Sequence, residues 1–256
     1  MHVARSVARS MLALVAAMGP VCAQTDFAAV IERVKPSIVA VGVYRSTNNP
    51  AFNLRGTGFV VGDGNLVATN AHVVAEPVDA PGGASLAVQA RLGGKLELRR
   101  AKIIVVDAEH DLAVLRFDDG PLPRLAVRNS DMVREGQMVG FTGFPIGGAL
   151  GFSPVTHRGM VSAITPIALP GANSQQLNEK LIRRLKAGGF NIFQLDATAY
   201  PGNSGSPVFD PESGEVIGII NMVFVKGTKE AALSQPSGIT YAVPANFLLE
   251  LLRLAK

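Results

Sequence analysis

The chain has 256 residues, enough for one large domain or two small ones, and 48% of them are hydrophobic. Only 17% are charged and the net charge is +4, so the composition excludes a disordered chain and argues against nucleic acid as the main partner, which would need a concentrated basic face. The 27 glycines and 16 prolines favour many short strands joined by turns over a helical bundle.

Residues 1–23 have the pattern of a signal peptide. A segment with two arginines precedes an apolar stretch over 11–18, and small residues stand before the expected cleavage point after Ala23. The apolar stretch is too short to cross a bilayer, so we expect an exported chain, periplasmic or secreted, without a stable membrane span. Two alternatives stay open: a lipoprotein anchored through Cys22, and a signal retained as an anchor.

The sequence offers no recognisable metal or cofactor site. Cys22 is its only cysteine, and cleavage would leave no thiol for a disulfide, for thiol catalysis or for a thiolate metal site. The chain also lacks an HExxH pattern, a CxxC pair and a Gly-rich phosphate loop. We therefore expect neither a metal nor a cofactor.

The first half of the chain is predicted to be one short helix followed by strands. Apolar residues at helical spacing predict a helix over 26–37, which Pro36 ends. The predicted strands are SIVAVGVYR (37–45), GTGFVV (56–61), LVAT (66–69), SLAVQARL (85–92), LELRRAKIIVV (96–106) and LAVLRF (112–117).

A Pro-containing bridge over 118–130 separates this half from a second run of strands and a closing helix over 245–256. The pattern predicts two all-β halves, 24–125 and 126–256, each a small closed barrel. A long loop over 166–189 is a candidate functional loop. The predicted strands of the second half are MVGFTGF (138–144), GMVSAI (159–164), FQLDAT (193–198), SPVFD (206–210), EVIGIINMVFV (215–225) and GITYAV (238–243).

The stretch YPGNSGSPVFD (200–210) contains a candidate nucleophile. Ser204 stands between Gly202 and Gly205, which suggests a bent backbone that presents a hydroxyl. An ordinary turn would give the same local pattern. A serine nucleophile needs a base to take its proton and a group that orients the base, so the two readings differ in what the rest of the chain provides.

His72 and Asp111 provide the missing groups. His72 follows a predicted strand within LVATNAHVV, among small and apolar residues that suit a base. Asp111 directly precedes the apolar strand LAVLRF, where a carboxylate needs a hydrogen-bond partner. Asp107 leaves the assignment ambiguous, because it lies four residues earlier. His110 and His157 are expected to be structural or solvent-facing.

These stretches together resemble a known family. GTGFVV and VATNAHVV around His72, DLAVLRF at Asp111, QLDATAYPGNSGSPVF at Ser204 and GITYAVPANF near the end occur in the order of trypsin/chymotrypsin-fold serine proteases. Within that fold the chain is most similar to the HtrA/Deg (DegP-like) protease domain. The resemblance implies an all-β fold of two six-stranded antiparallel barrels with the active site at their seam and a C-terminal helix.

The resemblance also implies roles for individual residues. His72 would be the general base, Asp111 its orienting group and Ser204 the nucleophile of a serine endopeptidase. The backbone N–H groups of Gly202 and Ser204, with Asn203 between them, would form the oxyanion hole. The substrate-binding pocket would involve Thr198, Asn221, Val223 and Gly238. None of these is acidic, so we expect small or apolar P1 residues rather than Lys or Arg.

The sequence departs from the family at three places. The chain ends twelve residues after Pro244, so no PDZ domain is expected. Asn203 stands where trypsin-type zymogens keep an aspartate, which argues against activation by a freed N-terminus. Gly205-Ser206 replaces the usual Gly-Gly pair. The family also implies a possible homotrimer, although no contact residues for it can be recognised.

Two functions from different classes remain possible on the sequence alone. One is a serine endopeptidase that acts on polypeptides through an acyl-enzyme intermediate. The other is a chaperone-like or binding module on the same scaffold with latent or weak activity. An esterase would share the acyl chemistry but fits the two-barrel frame less well. The complete set of three side chains favours the endopeptidase.

Overall fold

The computed structural model describes residues 26–75, 84–145, 152–166, 189–222 and 238–255. Three predictions lie wholly or largely outside these residues: the signal peptide with Cys22, the long loop over 166–189, and the pocket residue Val223.

Two helices lie at the two ends of the described chain. Helix α1 (Phe27–Val34) begins where Asp26 Oδ1 accepts a hydrogen bond from the Ala28 N–H at 3.0 Å, and a 3-10 turn over Lys35–Ser37 follows it. Helix α2 (Ala245–Leu254) closes the chain, as expected from the sequence. Within the described ranges, no helix is both long and apolar enough to span a bilayer.

The first half is one antiparallel sheet of seven strands in the order β5-β4-β1-β2-β3-β7-β6. Its strands are β1 (Ile38–Tyr44), β2 (Phe52–Val61), β3 (Leu66–Asn70), β4 (Ser85–Leu92), β5 (Lys95–Arg100), β6 (Lys102–Asp107) and β7 (Leu112–Arg116).

This half has seven strands instead of the six expected, because the single strand predicted over 96–106 is divided at Ala101. The residues before Ala101 pair with β4, and those after it pair with β7. Ala101 is buried, and its N–H still donates to the Leu86 carbonyl at 2.9 Å. The two edge strands of the sheet, β5 and β6, are therefore consecutive in the chain.

The second half is a closed antiparallel barrel of six strands, as predicted, in the order β10-β13-β12-β11-β8-β9. Its strands are β8 (Met138–Gly143), β9 (Val155–Pro166), β10 (Asn191–Asp196), β11 (Pro207–Phe209), β12 (Val216–Ile220) and β13 (Ile239–Pro244). An isolated parallel bridge between Val127 and Val216 ties the connecting segment to this barrel.

Three apolar clusters make up the core of the described residues. One fills the first sheet around Val41, Val88 and Leu115, and a second fills the barrel around Phe141 and Leu195. The third joins residues of both halves to the two helices, and its members include Val30, Phe59, Leu112, Phe209 and Leu248. Because burial of apolar surface is the main stabilising contribution, this shared cluster fixes the two halves against each other.

Candidate active site

Asp111, directly before β7, adopts an unusual backbone conformation. Its φ of 55° is the only positive value at a non-glycine residue in the described part of the chain. Its carbonyl oxygen accepts hydrogen bonds from the Ala71 N–H and the Asn70 side-chain amide, both at 3.0 Å. Aspartate and asparagine tolerate this left-handed region better than most residues. The backbone of Asp111 is thereby fixed to the end of β3.

His72 lies on the 3-10 turn Ala71–Val73 that follows β3, and Asp111 binds it twice. The His72 N–H donates to Asp111 Oδ1 at 2.9 Å, and His72 Nδ1 lies 2.6 Å from Asp111 Oδ2. A carboxylate can only accept, so the proton of the ring is on Nδ1 and Nε2 is left as the basic nitrogen. The His72 side chain is 32% exposed, which leaves the ring within reach of a substrate.

Asn221 is the third group at this pair. Its side-chain amide donates to Asp111 Oδ2 at 2.8 Å, and the residue is fully buried directly after β12. The family resemblance implies a place for Asn221 in the substrate-binding pocket, and the structure shows its amide bound to the carboxylate of Asp111. Sequence patterns gave no signal for this contact beyond a polar residue that interrupts the apolar run over 216–225.

Ser204 lies on a tight turn, and the next position of this turn can be occupied only by glycine. Gly205 has a φ of 86°, and a Cβ placed on it would lie 2.0 Å from the Thr57 carbonyl oxygen. The Ser204 carbonyl accepts the Thr57 N–H at 2.8 Å, and the Gly205 N–H donates to the Ile220 carbonyl at 3.0 Å. The turn is thus held from both halves of the molecule.

The structure places the carbonyl of Ser204 and the side chain of Val73, the residue after His72, on the same side of Gly56. A Cβ on Gly56 would lie 2.9 Å from the Ser204 carbonyl oxygen and 2.7 Å from Val73. Within the described ranges, no hydrogen bond joins the Ser204 hydroxyl to the His72 ring. Such contacts commonly form only when a substrate is bound.

The backbone N–H groups around Ser204 differ in their hydrogen bonding. The Asn203 N–H donates to the Tyr200 carbonyl at 2.9 Å, whereas the N–H groups of Gly202 and Ser204 have no partner among the residues that the structure describes. The Asn203 side chain is fully buried and is likewise unpaired in this part of the chain, as is the hydroxyl of Ser206.

Two of the other predicted pocket residues lie on adjacent segments before β13 and after β10. Thr198 is half-buried and Gly238 is exposed. The Ala197 N–H donates to the Gly238 carbonyl at 3.0 Å. The buried Thr240 joins the same segments, because its hydroxyl donates to the Ala197 carbonyl at 2.7 Å and accepts from the Ala199 N–H at 3.1 Å.

Asp107, the ambiguous alternative to Asp111, binds a different histidine. His110 Nδ1 lies 2.6 Å from Asp107 Oδ2, and the His110 ring stacks on Phe247 with centroids 3.8 Å apart. Burial alone would raise the pKa of Asp107, but the hydrogen bonds from His110 and its charge outweigh burial and lower that pKa. The Asp107–His110 pair serves to fix the turn before β7.

His157 is half-buried in β9 and stacks on Phe141, with ring centroids 4.7 Å apart. Burial lowers the pKa of His157 because it disfavours the charged ring. Its Nε2 has no partner in the described residues. Across the same residues, no group of three or more His, Cys, Asp or Glu side chains could hold a metal ion.

Comparisons with known proteins agree with this geometry. Residues 56–219 match the family described as trypsin-like peptidase domain. The chain is 30% identical over 195 residues to a probable periplasmic serine endoprotease DegP-like of Pseudomonas fluorescens, which covers 76% of this chain and 33% of that protein. A protein of the same description from Hahella chejuensis is 30% identical over 213 residues, or 83% of this chain and 38% of its own length.

A solved structure supports the same assignment. The HtrA-type protease AlgW with a tripeptide superposes with a TM-score of 0.61 at 26% identity, covering 89% of this chain and 62% of its own. The largely β-stranded fold and these matches define the class of trypsin-like peptidase domains. The chain belongs to the trypsin-like peptidase domain family, and the resemblance to DegP-like proteases is confirmed. It spans about a third of the length of the curated relatives that it matches, 33% for the first.

Proposed function

We propose that this chain hydrolyses peptide bonds as a serine endopeptidase, with Ser204 as nucleophile, His72 as general base and Asp111 as the group that orients His72. The observation that carries the proposal is the double contact between Asp111 and His72, at 2.6 and 2.9 Å, beside a serine on a glycine-flanked turn. The family membership supports the same chemistry.

The proposed reaction has two stages. His72 Nε2 takes the proton of Ser204 while Oγ attacks the scissile carbonyl carbon, and the carbonyl oxygen becomes an oxyanion bound by the N–H groups of Gly202 and Ser204. The protonated His72 then gives its proton to the leaving amine, and the C–N bond breaks to leave an acyl-enzyme. Water, activated by the same His72, releases the acyl group. Asp111 stabilises the imidazolium at each stage and keeps Nδ1 protonated.

We also propose that the P1 residue of the substrate is small or apolar. The described pocket candidates Thr198 and Gly238 carry no charge, and a charged P1 side chain would be unpaired against them. Cleavage of a peptide library, read by mass spectrometry, tests this proposal. Dominant cleavage after Lys, Arg, Asp or Glu would contradict it.

The proposed location is the periplasm or the medium, after removal of residues 1–23. The matching relatives are described as periplasmic, which supports export of this chain. N-terminal sequencing of the protein purified from its host tests the expected start at Gln24. A lipid-modified Cys22 at the start would instead identify a lipoprotein. A homotrimer is proposed only from the family resemblance, and light scattering of the purified protein tests it.

The decisive experiment on activity is labelling with a fluorophosphonate probe, read by intact mass. We expect one adduct on the parent protein and none on Ser204→Ala. Ser206→Ala is the matched control, because it removes a buried hydroxyl two residues away and leaves Ser204 in place. We expect this control to be labelled like the parent. An unlabelled parent would favour a scaffold kept for binding, and labelling that survives Ser204→Ala would exclude Ser204 as the nucleophile.

A further inference from the structure

Thr57, on strand β2 of the first half, binds the nucleophile turn of the second half at two points. Its hydroxyl donates to the Gly202 carbonyl at 2.7 Å, and its N–H donates to the Ser204 carbonyl at 2.8 Å. The residue is fully buried. We propose that Thr57 is a positioning residue, which sets the orientation of the oxyanion-binding N–H groups from the opposite half of the molecule.

The Gly202 carbonyl is the group through which this control would act. The peptide unit between Gly202 and Asn203 lies, in chain order, between the two N–H groups assigned to the oxyanion hole. Gly202 has a φ of 103°, a region in which glycine moves freely and other residues do not. Nothing about glycine itself fixes this peptide, so its orientation depends on its hydrogen-bond partners. At one end of the peptide, the Asn203 N–H donates to the Tyr200 carbonyl at 2.9 Å. At the other end, the Thr57 hydroxyl is the partner of the Gly202 carbonyl oxygen.

The direction of the Thr57 hydroxyl is determined by a second contact. Its oxygen accepts the Phe144 N–H at 3.0 Å, just after strand β8. A hydroxyl has one proton, and because the Phe144 N–H can only donate, that proton points to Gly202. A Cβ on Gly143 would lie 2.8 Å from the same oxygen, so the hydroxyl sits in a closely packed space with little room to rotate.

Thr57 also contacts the strand that leads to the base. Its carbonyl oxygen accepts the Thr69 hydroxyl at 2.7 Å, three residues before His72. One residue thus joins the strand that precedes His72 to the turn that carries Ser204. The inference rests on the proposed function, because the oxyanion role of Gly202 and Ser204 belongs to that proposal. It adds that the hydroxyl of Thr57 contributes to turnover rather than to substrate affinity.

The experiment compares Thr57→Ala, Thr57→Ser and Thr142→Ala with the parent. Thr142 is a buried threonine whose hydroxyl forms a hydrogen bond with that of Thr156 at 2.9 Å. Its alanine variant therefore shows the effect of losing a buried threonine hydroxyl that does not bind the turn of Ser204. We expect Thr57→Ala to lower kcat by about 10- to 100-fold with little change in KM, since a misplaced oxyanion donor acts on the transition state. Thr57→Ser keeps the hydroxyl and should recover most of the lost rate.

Hydrogen exchange in a Ser204→Ala background separates this inference from the proposed function, because it needs no turnover. We expect Thr57→Ala to speed amide exchange over residues 200–206 and Thr142→Ala to leave it unchanged. The inference would be overturned if Thr57→Ala and Thr142→Ala changed the exchange rates and kcat equally. It would also be overturned if Thr57→Ala acted on KM rather than kcat, or if Thr57→Ser recovered none of the lost rate. A parent without labelling or hydrolysis would instead overturn the proposed function, and the exchange result would still decide whether Thr57 orders the turn.

Discussion

Asn221 donates its side-chain amide to Asp111 Oδ2 at 2.8 Å, the same oxygen that lies 2.6 Å from His72 Nδ1. Asn221 directly follows Ile220, whose carbonyl accepts the Gly205 N–H beside Ser204. The second half of the molecule therefore supports the carboxylate on the first half, next to the turn that carries the proposed nucleophile. A carboxylate with both oxygens occupied has little freedom to rotate away from the histidine.

Replacing Asn221 with alanine should therefore weaken catalysis. A hydrogen bond to a charged group contributes about 1.5–3 kcal/mol, and about 1.4 kcal/mol corresponds to a tenfold change in rate. We expect kcat/KM of Asn221→Ala to fall by about 10- to 100-fold. Asn221→Asp should be at least as damaging, because it places a second carboxylate beside Asp111. Steady-state kinetics on a peptide substrate check both, and parent-like rates in Asn221→Ala would show that the bond is dispensable.

Asp111→Asn tests the role of the carboxylate with little disturbance of the backbone. Asparagine tolerates the φ of 55° at this position, so the fold should persist. The amide can present an N–H to His72 Nδ1 and favour the wrong tautomer, a change that lowers kcat by about 10⁴-fold in a related triad. We expect a loss of this order with a nearly unchanged Tm. A variant that retains more than about a tenth of the parent rate would remove Asp111 from the mechanism.

The sequence singles out the three candidate residues because each lies in a recognisable local context. His72 follows a strand, Asp111 precedes one, and Ser204 lies between two glycines. The contacts that support them could not be predicted in this way. Thr57 and Asn221 reach the site across 145 and 110 residues of sequence, and no periodicity or turn pattern encodes such distances.

The fold was predictable for a similar reason, and its one miscount has a local cause. Apolar runs bounded by turn residues located the strands, including β4, whose predicted bounds 85–92 match the structure. The stretch 96–106 reads as one strand because β5 and β6 share a strand-like composition on either side of Ala101. The division depends on which neighbour each part pairs with, and that is decided by the curvature of the whole sheet.

Gly205→Ala should destabilise the protein more than the same substitution at another glycine with a similar backbone conformation. Gly136 is the matched control, because its φ of 85° is close to the 86° of Gly205 and a Cβ there would meet nothing within 4 Å. The left-handed conformation alone costs an alanine about 1–2 kcal/mol. At Gly205 the Cβ would also lie 2.0 Å from the Thr57 carbonyl oxygen, so the turn must move.

We therefore expect a larger fall in Tm for Gly205→Ala than for Gly136→Ala, together with a loss of fluorophosphonate labelling that the control does not share. Thermal unfolding and intact-mass labelling measure the two effects. Equal falls in Tm for the two variants would mean that the turn around Ser204 has room that the structure does not indicate.

His157 should make the protein less stable as the pH falls below neutrality. Burial lowers its pKa in the folded chain below the ordinary value of 6.5, so between these two values the unfolded chain binds more protons than the folded one. The free energy of unfolding then rises with pH in this window and falls as the pH drops through about 6.5. Within the described residues no hydrogen bond at Nε2 offsets this effect of burial, because His157 Nε2 is buried and unpaired there.

His157→Phe removes the titration and keeps an aromatic ring against Phe141, which stacks on His157 at an interplanar angle of 13°. We expect the stability of the parent to fall more than that of the variant when the pH is lowered from about 7.5 to about 5.5, because all other titrating groups are shared. Urea unfolding at both pH values gives the two differences directly. Parallel losses in parent and variant would show that His157 takes up its proton equally well in the folded and the unfolded chain, and that its burial does not govern its titration.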